Sequence, residues 1–269
     1  MTLEVAPVPM ERVREVLARI DELPRDATGV LRFSEHSAVL VESGRICWAA
    51  ARGMQRRLTE VLCEEASPSI ERRELEEILA HCRESGRPIG EALVASGRVS
   101  ERSFERALFG QTVSAIEQLA RLETAEPTFT PHFRARYDAR FTFDSVDLLT
   151  EINARELDGR RDIAFTAFDS VLPKEAVGVG FALRERRPVA VVGPRSGTPR
   201  VAELVEICAW VSHVHELCQM SEPRAVILNF RGSGAVVTWR AETLCYFAIC
   251  AKRSVAAVLI SRLDGKGLS

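Results

Sequence analysis

Hydrophobic and polar positions in the first part of the chain follow two different periods. Residues 29–33, 38–41 and 45–49 are short apolar runs of β type, and the sequence Glu42-Ser-Gly between the last two is typical of a tight turn. Residues 9–23 repeat apolar positions with helical spacing and end near a proline. The pattern therefore predicts a short amphipathic helix followed by a small antiparallel sheet.

One short sequence pattern occurs twice in the residues that follow. Residues 58–79 and residues 89–111 share apolar positions at i, i+3 and i+4, interrupted by a Ser-Pro or a Gly break. The second copy reads Ile-Gly-x-x-Leu-Val-x-x-Gly from Ile89 to Gly97 and continues past a serine to Gln111. A repeat of this size predicts a two-helix hairpin in each copy, with a serine capping the second helix of the later one.

Two domains are predicted. A further helix at about 113–122 and an edge strand at 127–130 complete the first domain, which we expect to span residues 1–133. Residues 124–143 are interpreted as the junction, and the second domain is expected to span residues 144–269. The predicted fold class is α+β.

The second domain has its own order of elements. Its apolar pattern predicts a helix, two strands, a long helix, three strands and a final helix. The segments are a helix from 146 with a second helical piece around Ile163–Phe168 that ends by 173, strands 178–183 and 188–192, a helix from Thr198 to Cys218, strands 225–230, 235–239 and 243–249, and a helix over 255–263.

Composition narrows the classes of protein that the chain can belong to. The 269 residues are 46% hydrophobic with a net charge of -2, so no overall field favours nucleic acid or an anionic membrane as a partner. No apolar stretch is long enough to span a bilayer, and the first twenty residues are too charged for a signal peptide. Seven cysteines without a C-x-x-C pair suit reduced thiols, and we expect a cytoplasmic protein.

Candidate reactive motifs are weak. Residues 193–198 stand before a helix, where backbone N–H groups can hold anions, but they lack the Gly-Lys-Ser/Thr ending of a phosphate-binding loop. His213 and His215 diverge by about 200° on one helix and cannot both bind one metal ion. Ser233 lies in a Gly-Ser-Gly hairpin and not in a strand-to-helix turn. We therefore predict no catalytic, cofactor-binding or metal-binding residue, although a site that forms only in space stays an open alternative.

Two local groups of arginines are interpreted as solvated turns, with contacts to an acidic partner as the alternative. The groups are Arg184, Arg186, Arg187 and Arg195, and separately Arg134, Arg136 and Arg140.

Residues 27–133 resemble the PATAN domain of bacterial signalling proteins. The resemblance rests on Gly29–Phe33, Glu42–Ala49 and the two repeated units through Gln111. The repeat is also similar to the N-terminal modules of type II secretion and pilus ATPases, some of which bind cyclic di-GMP, although the first copy has Thr59 where that family has glycine. This similarity implies an alternative function as a cyclic di-GMP-responsive sensor acting on pilus or motility machinery. Amphipathic packing explains the same residues.

The second domain is similar to roadblock domains of the dynein light chain type, because its order of helices and strands matches theirs. The resemblance implies an α/β/α sandwich with a five-stranded antiparallel sheet. It also implies pairing with Ras-like small GTPases, including the Mgl-type polarity switch. Such domains usually dimerise through the central helix and the middle strand, which here are residues 199–218 and 225–231.

The central helix independently indicates a covering partner. Its apolar arc exceeds half the circumference, whereas a helix lying on one sheet needs a stripe of about 100°. The surplus around Trp210 must be covered, either by a second copy, which we favour, or by the first domain or helix 146–157. The predicted interface residues are Ile207, Trp210, Val214, Leu217, Ile227 and Asn229.

These features together predict a non-catalytic bacterial signalling adaptor. We expect a homodimer that binds and regulates a Ras-like GTPase through its second domain, without a cofactor. The first domain is expected to contact a response regulator, a polarity protein or a pilus ATPase.

Overall fold

The structure, a computed structural model, divides the chain into two compact units, Met1–Leu148 and Leu149–Ser269, called here the first and the second unit. The described helices and strands confirm the mixed α+β class. The residues that the structure describes are 8–54, 56–65, 70–122, 126–132, 138–157, 179–192, 198–217, 226–229, 234–241, 244–250 and 252–265.

Among its described residues, the first unit combines an antiparallel sheet with five α-helices and a short 3-10 helix, Ala139–Phe141. In chain order these elements are α1 (Met10–Asp21), β1 (Gly29–Ser34), β2 (Ser37–Glu42), β3 (Arg45–Ala50), α2 (Leu58–Glu65), α3 (Arg72–Ser85), α4 (Ile89–Ala95), α5 (Glu101–Arg121) and β4 (Thr128–Pro131). The strand order is β3-β2-β1-β4. The predicted edge strand is confirmed, because β4 pairs with β1 in antiparallel register.

Local sequence explains the start of this unit. The stripe of apolar residues predicted for α1 is its buried face, formed by Val13, Val16, Leu17 and Ile20. Helix α1 packs against α5. The predicted turn between β2 and β3 is confirmed, with Ser43 at φ 50° and Gly44 at φ 71°. A Cβ at Gly44 would lie 2.5 Å from the Arg25 carbonyl oxygen, so the turn has no room for a side chain there.

The repeated units form the helical hairpins that the sequence predicts. In the second copy, Gly90 is buried, and a Cβ there would lie 2.4 Å from the Phe104 ring, so glycine is what lets α4 approach α5. Ser100 caps α5 by accepting a hydrogen bond from the Ser103 N–H at 3.2 Å. Gly97, at φ 69°, turns the chain between the two helices.

Two sequence predictions for the first unit differ from the structure. A separate helix over 113–122 was expected, but α5 runs unbroken from Glu101 to Arg121. The predicted junction, residues 124–143, lies inside the first unit. The Phe143 backbone exchanges hydrogen bonds of 2.8 and 3.0 Å with Ile46, and Arg45 Nε donates to Thr142 Oγ1 at 2.7 Å. These bonds tie the segment after β4 to the edge of the sheet.

The second unit holds another antiparallel sheet. Helix α6 (Ser145–Glu156) contains the division between the units, and the later elements are β5 (Val179–Arg184), β6 (Arg187–Val192), α7 (Val201–Leu217), β7 (Val226–Asn229), β8 (Ala235–Ala241), β9 (Leu244–Cys250) and α8 (Arg253–Gly265). The strand order is β6-β5-β9-β8-β7. Helix α8 is longer than the predicted segment 255–263. The predicted helical piece around Ile163–Phe168 lies outside the described residues.

Both faces of this sheet are buried. On one face, Trp239 stacks on Tyr246 with ring centroids 5.3 Å apart, next to apolar residues of α6 and α8. Strand alternation sends Phe181 and Phe247 to the opposite face, where their rings are 5.0 Å apart. Asn153 of α6 donates from Nδ2 to the Pro188 carbonyl at 2.9 Å and so joins helix and sheet.

Candidate functional site

Helix α7 exposes large apolar side chains on one side. Its inner side is fully covered and consists of Val201, Leu204, Cys208 and Val211. Trp210 is 38% exposed and Leu217 is 69% exposed. The other two interface residues predicted on this helix, Ile207 and Val214, are half-buried. The structure thus places the four predicted helical residues along the margin and the outer face of α7.

The remaining predicted interface residues, Ile227 and Asn229, lie in β7. This strand pairs with β8, with Ile227 opposite Val237 and Asn229 opposite Ala235. It is the last strand in the order of the described sheet, so its second edge carries backbone N–H and C=O groups outside the ladder. An edge strand of this kind can extend its ladder into another strand.

The arginine groups are largely committed within the protein. Arg186 contacts the Glu216 carboxylate on α7, and Arg187 Nη1 lies 3.1 Å from Glu156 Oε2. Arg184 Nη1 donates to the Leu157 carbonyl at 2.5 Å. Arg140 pairs with Glu101 and Asp138. Arg134, Arg136 and Arg195 lie outside the described residues.

A cleft of about 900 Å³ opens in the first unit, and Gln111 of α5 lies in its wall. The Gln111 side chain is 5% exposed, and its Nε2 donates to the Ala49 carbonyl of β3 at 2.7 Å. Its Oε1 is buried and has no hydrogen-bond partner among the residues that the structure describes. When only the N–H end of a buried amide is hydrogen-bonded, its carbonyl oxygen has no donor. This costs free energy unless a ligand or a water molecule supplies the donor.

Arginines line the rim of this cleft. Arg56 Nη2 lies 2.5 Å from Glu64 Oε2, and Arg72 Nε lies 3.1 Å from Glu76 Oε1. Arg52 and Arg57 also line the cleft, and neither side chain has an ion pair within the described part of the chain. The cleft therefore has two arginines outside ion pairs and two that are neutralised. Glu60, whose Oε2 accepts a hydrogen bond from the Arg57 backbone N–H at 2.9 Å, adds one negative charge beside them.

A second concavity, of about 290 Å³, adjoins the cleft. Its walls are mainly apolar side chains of the sheet and the helices, and its acidic members are Glu91 and Asp138. Burial, with a smaller contribution from Glu42, raises the pKa of the Cys47 thiol in this wall to about 12. The thiol is therefore neutral at physiological pH and a poor nucleophile. We call this concavity the apolar pocket.

Sequence reasoning identified Gln111 only as the end of a repeat and did not single out Arg52 or Arg57. One signal was present, since a glutamine occupies a helical position between apolar residues that face the core. The cleft itself joins residues from β3 to α5 and leaves no local pattern in the sequence.

The weaker motifs add no chemistry among the residues that can be described. Within those residues, no group of three or more His, Cys, Asp or Glu side chains is placed to hold a metal ion. His213 is exposed, whereas the His215 side chain, Ser233 and residues 193–197 lie outside the description. A search of the described helices finds none of the length and apolarity that crossing a membrane requires.

Compared with known proteins, the chain matches no family model, and no curated protein is significantly similar to it.

Proposed function

We propose that this chain is a non-catalytic signalling adaptor whose second unit self-associates through α7 and β7 and regulates a Ras-like small GTPase. The observation that carries the proposal is the outer face of α7, where Trp210 and Leu217 are exposed on a helix whose inner side is completely buried. An exposed tryptophan and an exposed leucine two turns apart on the same side of one helix are typical of an interface. They are uncommon on a surface that faces only water.

The sheet of the second unit supports the same proposal. Strand β7 lies at the end of the described strand order, and it follows α7 in the chain. Two copies related by a twofold axis would pair equivalent surfaces, with α7 meeting α7 and the edge of β7 meeting the edge of β7. A roadblock-like sandwich, with helices on both faces of an antiparallel sheet, is part of this proposal.

Regulation of a GTPase does not require a reactive side chain in the regulator. A protein that holds the switch loops of the GTPase in one conformation changes nucleotide hydrolysis or exchange by shifting a population. The proposed partner is a Ras-like GTPase of the Mgl type. Response regulators, polarity proteins and pilus ATPases are the proposed partners of the first unit.

Two measurements test the proposal. The mass of the full chain in solution is expected to be that of a dimer at micromolar concentration. Mixing the chain with an Mgl-type Ras-like GTPase from the same organism is expected to give a complex and a changed rate of nucleotide hydrolysis or exchange. A monomer at all concentrations would overturn the self-association, and a GTPase that neither binds nor responds would overturn the regulatory role.

The alternative function is that of a cyclic di-GMP sensor. Calorimetric titration with cyclic di-GMP distinguishes this function from that of an adaptor. The spacing that suggested it has a packing explanation, since Gly90 makes room for the Phe104 ring and Leu93 is completely buried. We therefore expect no saturable heat on titration with cyclic di-GMP. Saturable heat would favour the sensor.

A further inference from the structure

The cleft and the apolar pocket of the first unit lie side by side and are together called here the groove. Trp48, Leu58 and Ile89 line both, so the two concavities meet along these side chains. Trp48 and Leu58 are half-buried and accessible from the groove. An extended ligand can therefore occupy the pocket and the cleft together.

The apolar pocket has the size and lining for one large apolar group. A dry cavity of about 150 Å³ accommodates benzene, and this pocket has about 290 Å³. A phenyl or indole side chain with the first atoms of its backbone fits that space. Phe104 and Leu108 of α5, together with Phe141, supply apolar contacts in its walls.

The cleft lacks a hydrogen-bond donor at a defined point. Gln111 Oε1 is buried and has no hydrogen-bond partner within the described part of the chain, while the Nε2 of the same amide donates to the Ala49 carbonyl. That bond fixes the orientation of the amide, so the carbonyl oxygen cannot turn away. A backbone N–H of an extended peptide supplies the missing donor without a special side chain.

The charges of the groove differ between its two ends. Glu91 and Asp138 line the apolar pocket, and Arg140 is already shared between Asp138 and Glu101. Glu91 has no ion pair among the described residues, which favours a basic group beside the apolar anchor. At the cleft end Arg52 and Arg57 favour an acidic group.

The same charges disfavour a nucleotide as the occupant. Two of the four arginines of the cleft are neutralised by Glu64 and Glu76. The Glu91 carboxylate at the pocket, which has no ion pair among the described residues, repels phosphate, and the pocket offers a flat base few polar partners. An amphipathic peptide satisfies the apolar pocket, the unpaired amide oxygen and both charged ends.

We propose that this groove binds an extended peptide segment of a partner protein, with a basic residue beside a large apolar anchor and an acidic residue farther along. The anchor fills the apolar pocket, a backbone N–H of the segment donates to Gln111 Oε1, and the acidic residue meets Arg52 and Arg57. The inference rests on the proposed adaptor function and names the surface through which the first unit recruits its partner.

A random dodecapeptide display library panned against the full chain tests this proposal. The expected result is enrichment of peptides in which a basic residue adjoins a large apolar residue and an acidic residue follows. The enriched peptides are then synthesised, and their binding to the full chain is measured by fluorescence anisotropy.

Variants of the groove locate the binding. Leu40→Trp, which fills the apolar pocket, is expected to reduce binding to below detection. Arg52→Glu with Arg57→Glu is expected to weaken it about tenfold, since both arginines are at the surface and their replacement leaves the core intact. The matched control is Arg106→Glu, another exposed arginine that does not line the groove, and it is expected to leave binding unchanged.

Three results would overturn the proposal. They are a library that enriches no sequence, enriched peptides that bind Leu40→Trp and the double arginine variant as well as the wild type, and saturable binding of cyclic di-GMP that Arg52→Glu abolishes. Failure here is separable from failure of the adaptor function, because mass and GTPase response report on the second unit. If those stay intact while no peptide binds, only the groove proposal is lost.

Discussion

Helices α5 and α7 carry similar broad apolar arcs but have opposite surroundings. In α5 the buried residues run from Ser103 to Ala120 and include polar Gln111 and Thr112, because α1, α2 and β3 all pack against this one helix. In α7 the inner residues are buried to the same degree, yet Trp210 and Leu217 stay exposed. A helix whose apolar arc is wider than one sheet can cover needs a second neighbour. Helix α5 has such neighbours within its own unit.

The comparison also separates two uses of polar side chains. On α5 a buried glutamine is retained at the wall of a cleft, and its carbonyl oxygen has no hydrogen-bond partner among the described residues. On α7 the polar residues are at the surface, where Glu216 contacts Arg186 of the β5–β6 turn. Function in the first unit is therefore expected in a groove, and in the second unit on a convex face.

The largest difference between the two helices is expected when a charged side chain is introduced on each of them and the free energy of unfolding is measured. Ile116→Asp on α5 introduces a carboxylate at a completely buried position and is expected to lower the free energy of unfolding by more than about 3 kcal/mol. Leu217→Asp on α7 is expected to change the free energy of unfolding of the separated protomer by less than about 0.5 kcal/mol, because the leucine contacts water there and the loss of dimer is measured separately. Urea unfolding followed by circular dichroism measures both, and similar losses for the two variants would contradict the contrast.

The next effect concerns self-association. Trp210→Glu is expected to raise the dimer dissociation constant at least about 30-fold, or about 2 kcal/mol, because a central tryptophan is a frequent hot spot. Sedimentation equilibrium measures the constant. Val258→Glu on α8, where the valine is 49% exposed, is the matched control and is expected to leave it unchanged. Equal effects of both variants would move the interface away from α7.

A smaller effect is expected at the close contact of α4 with α5. Gly90→Ala forces a Cβ to within 2.4 Å of the Phe104 ring and is expected to cost about 1 to 3 kcal/mol in stability. Gly110→Ala, on α5, meets no atom within 4 Å and is expected to be neutral or slightly stabilising. Thermal unfolding distinguishes the two, and a stable Gly90→Ala protein would show that the hairpin packs less tightly.

The smallest effect is expected at the surface of α7. Arg186 and Glu216 are 69% and 56% exposed, so their ion pair is screened by water. Arg186→Ala is expected to lower the free energy of unfolding by at most about 1 kcal/mol and to leave the dimer intact. A large loss of dimer in sedimentation would mean that this arginine belongs to the interface.

Much of the fold could be predicted because its signals are local. The stripe on α1, the Ser43-Gly44 turn and the Ser100 cap each depend on residues close in sequence, and all three are confirmed. The break predicted before Val113 was wrong because a helix can continue through polar residues when neighbouring elements bury them. The residues predicted as the junction, 124–143, lie inside the first unit. The backbone bonds between Phe143 and Ile46 join residues far apart in the chain, and no local pattern in the sequence indicates them.

The candidate groove could not be predicted in the same way. The repeat singled out Gln111, but its unsatisfied oxygen depends on where the Ala49 carbonyl lies, and that distance is not encoded near Gln111. Arg52 and Arg57 stand in an ordinary charged segment of the sequence. Only their position beside Trp48 and Gln111 makes them part of a site.

By itself, the sequence determined which segments become helices and strands and that α7 has more apolar surface than one sheet can cover. Periodicity, caps and turns depend on interactions over a few residues, so they can be recognised in the amino-acid sequence of one chain. The tertiary structure alone decided that α5 is enclosed while α7 is open, and that an apolar pocket meets a charged cleft at Trp48. Those outcomes depend on which distant segments meet, because packing and hydrogen bonding act through space and not along the chain.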